Sequence, residues 1–177
     1  RLFPVYYRAD TLLHATSLLP ERGSMLGEEG RRRRLGVTTF ERRAGRERFE
    51  QTTTTIVRTV LPVPAETQDA LSAFYVLRTW PLEAGRRLTM PVSDGGALLW
   101  VDIVVEGREP VRSGLGSLEA WRLVPSIRDA GGNPWADRRL TVWLSVDDRR
   151  LPLRLQAELP VGTFDLVLRE VGRATVP

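Results

Sequence analysis

Among its 177 residues the sequence has no cysteine, no lysine and a single histidine, His14. Without cysteine there can be no disulfide framework, thiolate nucleophile or zinc–thiolate site. His14 alone would need three carboxylate or carbonyl partners to hold a metal, and no spacing in the chain supplies them. In a patterned strand it reads as structural; acting as a general base beside a carboxylate, it would make the chain a lipid or glycan hydrolase. No G-x-S-x-G elbow, Walker loop or H-E-x-x-H segment is present. Gly114-Leu115-Gly116 lacks both the third glycine and the following helix of a dinucleotide site. No catalytic residue, metal or cofactor is therefore expected, and the chain is read as not an enzyme. The longest apolar run, Ala97 to Val105, is broken by Asp102 and is too short to span a bilayer as a helix.

The absence of lysine shapes the charge. All 26 basic residues are arginine, set against 22 acidic ones, for a net charge of +4. The high isoelectric point near 10.5 follows because arginine does not titrate in the accessible range. With 42% hydrophobic and 27% charged residues, a disordered tail, a collagen-like fibre and a helical membrane protein are excluded. The chain opens at Arg1 and enters Leu2-Phe3-Pro4-Val5-Tyr6-Tyr7 at once. That start looks like the inside of an element, so the expectation is either that a targeting segment was removed or that part of the chain is missing.

The second half alternates with period two, the mark of half-buried strands. Leu99, Val101, Ile103 and Val105 share one face; so do Leu140, Val142, Leu144 and Val146; so do Leu151, Leu153, Leu155, Ala157 and Leu159. Val146 to Arg150 and Pro160 to Thr163 read as turns, Ser117 to Val124 as a strand, and Asp129 to Asp137 as the longest loop. This gives a β-meander over about 86–171. In the first half, Val5–Ala9, Leu12–Ala15, Glu21–Leu26, Arg33–Glu41 and Arg46–Val60 are expected strands, with Ala44-Gly45 a hairpin tip. The run Thr52 to Val57 is dense in β-branched residues and favours strand. A helix is predicted over about 68–80, with capping residue types at Glu66 to Asp69 and a stop at Pro81. Its apolar residues cover most of its circumference, which predicts enclosure by other elements. The fold class expected is mainly β: one domain over 1–177, a curved antiparallel sheet or half-barrel with one short helix packed on it.

Three groups of residues are candidates for function. Phe74, Leu77 and Trp80 on the helix, with Trp100 and Trp143 on strands, would line a groove for an apolar or lipid ligand if the concave face is not simply a filled core. Arg31, Arg32, Arg33 and Arg34 form the densest charge run and either contact an anion or partner, since arginine grips phosphate and carboxylate with two hydrogen bonds, or belong to a solvated hairpin interspersed with Glu28, Glu29, Glu41, Glu47 and Glu50. Asp147-Asp148 would offer paired carboxylates but is better read as a hairpin tip compensated by Arg149-Arg150. No nucleic-acid partner is expected, because the positive surplus is small and interleaved with acids.

Several segments, in order, resemble the family known as domain of unknown function 3108. They are Ala70 to Thr79, Pro91 to Gly96, the G-S-L-E-A-W stretch Gly116 to Trp121 leading to Pro125, the strand–turn–strand Leu140 to Leu153, and Leu159 to Phe164. The resemblance runs from about Arg46 to Arg169. It implies a bacterial exported protein of the periplasm or cell envelope, in contact with a membrane at most peripherally. The shape it implies is similar to the half-barrels of periplasmic lipoprotein carriers. The family has no assigned activity, so no functional residues carry over. The function expected is a non-enzymatic envelope protein that binds a lipid or other apolar ligand, or else an accessory subunit of an envelope assembly with a protein partner.

Overall fold

The computed structural model describes residues 5–135, 139–159 and 162–172. Leu2 to Pro4, the loop residues Ala136-Asp137 and the expected turn at Pro160-Val161 lie outside them. The chain is mainly β, as expected, with the single α-helix of the described residues at α1 (Ala70–Thr79). It forms two sheets where the sequence predicted one, and neither closes into a barrel. The first is a five-stranded antiparallel meander: β1 (Val5–Leu13), β2 (Pro20–Glu29), β3 (Arg32–Glu41), β4 (Arg46–Thr52) and β5 (Ile56–Pro62). The second contains β6 (Gln68–Asp69), β7 (Arg87–Asp94), β8 (Ala97–Ser113), β9 (Gly116–Asp129), β10 (Arg139–Ser145), β11 (Pro152–Leu159) and β12 (Gly162–Val167), in the order β12-β11-β10-β9-β8-β7-β6. By its internal contacts the chain divides into two compact units. Unit 1 comprises 1–77, 90–100 and 129–132; unit 2 comprises 78–89, 101–128 and 133–177.

In unit 1 two expectations are revised. Val5–Ala9 and Leu12-Leu13 belong to one strand, β1, paired along its length with β2, while His14 and Ala15 lie in the turn that follows. The threonine run is a turn: β4 ends at Thr52, which pairs with Ile56, and the Thr53 amide donates to the Thr55 carbonyl at 2.9 Å. Strand propensity yields here because the chain must reverse to pair β5 with β4, and threonine hydroxyls can bond within a tight turn. Ala44-Gly45 is a hairpin tip as expected, with Gly45 in the left-handed region at φ +60.

The helix begins at a reciprocal cap. Asp69 Oδ1 accepts from the Ser72 amide at 2.7 Å, and Ser72 Oγ accepts from the Asp69 amide at 2.8 Å. It ends one residue before Trp80-Pro81, where the proline ring disfavours helical geometry in the residue ahead of it. It is not enclosed all round: Leu77 and Ser72 are buried, but Ala70, Tyr75 and Thr79 are exposed.

Unit 2 has its own core of Val111, Ala120, Trp143, Leu151 and Leu153, flanked by Leu118 and Leu168. Residues 141–145 of β10 are all buried, so alternation there separates two covered faces rather than a wet one from a dry one. The Asp147-Asp148 segment is a turn: Asp147 accepts from Ser145 Oγ at 2.5 Å and Arg149 Nε at 2.8 Å, and the Arg150 amide reaches the Asp147 carbonyl at 3.1 Å.

Candidate functional site

Registers place a specific set of side chains on one face of the five-stranded sheet. Tyr7, Ala9 and Thr11 of β1 lie opposite Gly27, Met25 and Gly23 of β2; those lie opposite Arg34, Gly36 and Thr38 of β3; Gly36 and Thr38 lie opposite Gln51 and Phe49 of β4. Three of these positions are glycine, and each has a neighbour lying across it. A Cβ on Gly27 would stand 3.0 Å from the Tyr7 ring, and one on Gly36 would stand 3.1 Å from the Phe49 ring. One on Gly23 would meet Asp69 Oδ2 at 2.9 Å. Gly27 and Gly36 thus let aromatic rings come close to the backbone, and Gly23 lets Asp69 do so, as glycine in a strand often does where something must approach closely. Over this floor, within unit 1, is a cavity of about 740 Å³. That is well inside the range of small-molecule sites.

The two ends of the cavity differ in charge. At one end Arg31, Arg32, Arg33 and Arg34 all line the wall. Arg33 pairs with Glu28 at 3.3 Å, whereas Arg31, Arg32 and Arg34 form no ion pair among the described residues. Glu29, also at this end, accepts from the Tyr7 hydroxyl, and that bond raises the phenol above its ordinary value. At the other end are Asp69, Ala70, Leu71, Ser93 and Asp94. Asp69 is occupied there: besides capping α1, its Oδ2 accepts from Thr11 Oγ1 at 2.9 Å.

Behind Ser93 is a buried acid. Ser93 Oγ donates to Glu47 Oε1 at 2.7 Å; the other carboxylate oxygen is buried without a partner, and the residue is 0% exposed. Burial pushes the Glu47 carboxyl up, partly opposed by the Ser93 hydrogen bond and the nearby Arg42 charge. Arg42 packs on Phe40 with its guanidinium carbon 4.5 Å from the ring centre. It donates to the carbonyls of Ala65, Pro20 and Thr67, each at 2.8 Å.

Of the residues singled out in the sequence, Arg31 to Arg34 line this cavity, while Phe74, Leu77, Trp80, Trp100 and Trp143 are not among its lining residues. Phe74, Trp80 and Trp100 are half-buried, Leu77 is buried, and Trp143 belongs to the core of unit 2. Trp143 also borders a smaller cleft of about 220 Å³ in unit 2, where its Nε1 donates to Glu109 at 2.5 Å and Arg154 stacks on its ring. His14 sits in the β1–β2 turn with Nδ1 3.2 Å from Ser17 Oγ and 3.3 Å from the Ser17 amide. Among the described residues no three acidic or histidine side chains group as a metal site. The cavity floor was missed in the sequence; the signal was there in Gly23 and Gly27, four apart in β2 and so on one face.

Fold and cavity define a mainly-β protein with an arginine-rimmed pocket over a glycine-containing sheet. The chain belongs to the family described as protein of unknown function DUF3108, whose model matches residues 1–169. The match takes in the N-terminal strands, where the sequence motifs gave only a loose resemblance. Among solved structures, the fold is similar to a β-barrel-like protein of domain of unknown function DUF1849 from Brucella abortus. The TM-score is 0.62 at 11% identity, covering 90% of this chain and 69% of the other. No curated protein matches.

Proposed function

We propose that this is a non-enzymatic binding protein of the bacterial cell envelope whose first unit takes up a small molecule with an apolar body. The cavity of about 740 Å³ over Tyr7, Met25, Gly36 and Phe49 is the observation that carries this reading. A floor of the Tyr7 and Phe49 rings, Met25 and bare glycine backbone offers van der Waals contact that suits an aliphatic or ring-shaped ligand. The envelope location rests on the exported character that the family resemblance implies.

Native mass spectrometry of the chain purified from bacterial cells tests the reading. A mass excess that disappears on denaturation is expected, and Ala9→Trp, which places an indole in the cavity from an exposed position, should abolish it. A bare monomer that takes up no added amphiphile would refute it. One observation favours the alternative of an assembly subunit: β12, the outermost strand of its sheet, exposes Phe164, Leu166 and Val167. On that reading light scattering returns a stable oligomer with an empty cavity.

A further inference from the structure

We propose that the ligand is a single-chain amphiphile with an acidic head, phosphate or carboxylate, and that Arg32 and Arg34 hold the head. This rests on the binding reading above and fixes the ligand's chemistry and direction. Arg34 faces Gly27 across the β2–β3 register and Arg32 faces Glu29, so both belong to the cavity side of β3; Arg33, between them, pairs with Glu28. Arg31, Arg32 and Arg34 have no ion-pair partner among the described residues although they stand in a continuous run, a concentration of like charge that an anion would relieve. Guanidinium forks match phosphate and carboxylate oxygens in pairs. Glu29, the acid on the same side, is engaged by Tyr7, which limits its competition for the arginines.

The opposite end rejects an acid. The positive terminus of α1 is satisfied by Asp69, whose carboxylate sits against the Ser72 amide, and Asp94 adds a second negative charge there. Between the ends lie the Tyr7 ring, Met25 and the Phe49 ring. From Arg34 to Thr38 the strand advances about 13 Å, the length over which a tail can lie along β3.

The test is calorimetric titration of the whole chain with dodecyl phosphate, dodecanoate, neutral monolauroylglycerol and inorganic phosphate. Both acidic amphiphiles should bind at least ~10-fold more tightly than the neutral one, about 1.4 kcal/mol. A preference for either acid supports the proposal and names the head. The Arg32→Gln/Arg34→Gln variant should bring both acids to the level of the neutral probe and flatten their salt dependence. Unchanged neutral binding shows in the same experiment that the variant is folded. If the neutral probe binds wild type as well as the acids do, the head assignment is overturned while the cavity reading stands. If inorganic phosphate alone matches dodecyl phosphate, the tail assignment is overturned. If no probe binds, both readings fall.

Discussion

Arg42→Ala should destabilise unit 1 by about 2–4 kcal/mol. The guanidinium donates to three carbonyls at 2.8 Å, and two of these, on Pro20 and Thr67, belong to buried residues. A buried acceptor stripped of its donor costs roughly 1–3 kcal/mol, whereas the carbonyl of exposed Ala65 can turn to water at little cost. Loss of stacking on Phe40 adds about 0.5–1 kcal/mol. Against this, burial lowers the Arg42 pKa and its Nε has no hydrogen-bond partner, so removing the side chain also recovers a desolvation cost. The recovered desolvation brings the net to the low end of the summed contributions. Arg42→Lys should recover less than half of the loss, since an ammonium cannot span carbonyls arranged for a planar fork. Urea unfolding measures the size, and hydrogen exchange locates it. The Val63 amide, bonded to Gly45, and the Thr67 amide, bonded to Pro64, should lose protection first. A cost below about 0.5 kcal/mol, or lost protection elsewhere with residues 62–69 unaffected, would refute the clamp.

Two further outcomes follow from buried groups. Because burial raises Glu47, the folded chain keeps a proton that the unfolded chain has released, so stability falls as pH rises from the ordinary glutamate value of 4.5 through the raised one. Glu47→Gln keeps an acceptor for Ser93 and should gain on wild type as pH rises through that window in urea melts; parallel profiles would refute the assignment. In unit 2, Gly114→Ala would drive a Cβ into the Arg169 carbonyl oxygen, displacing the segment whose Leu168 carbonyl accepts from the Gly114 amide. A loss of about 1–3 kcal/mol is expected, with faster proteolysis after Leu166; an unchanged melt and cleavage pattern would show that the segment yields freely.

The sequence made some of this legible and hid the rest for physical reasons. Helix α1 was visible because its cap, its apolar content and its proline stop are all local. The meander of unit 2 was visible because alternation is also local, although it did not reveal that both faces of β10 are covered. The threonine run misled because composition reports what a residue tolerates, while the pairing of Thr52 with Ile56 is decided by the partner strand. The cavity was hidden for a similar reason: Tyr7, Gly27 and Arg34 become neighbours only through register across three strands. Arginine drew notice as a run, but nothing local distinguished Arg32 and Arg34, which form no ion pair among the described residues, from Arg33, paired with Glu28. The bulky aromatic residues drew attention to α1 and unit 2, whereas the floor depended on positions with no side chain at all.

The rim's composition has a further consequence. A lysine or histidine rim would lose its grip on an acid as the surroundings became alkaline, but guanidinium keeps its charge throughout the range in which proteins stay folded. If Arg32 and Arg34 hold an acidic head as proposed, the head's own ionisation tunes its capture. A phosphate head would show its second ionisation in the binding profile, and a carboxylate head would let go only in acid. On that proposal, the pH profile of uptake reports the ionisation of the cargo's head.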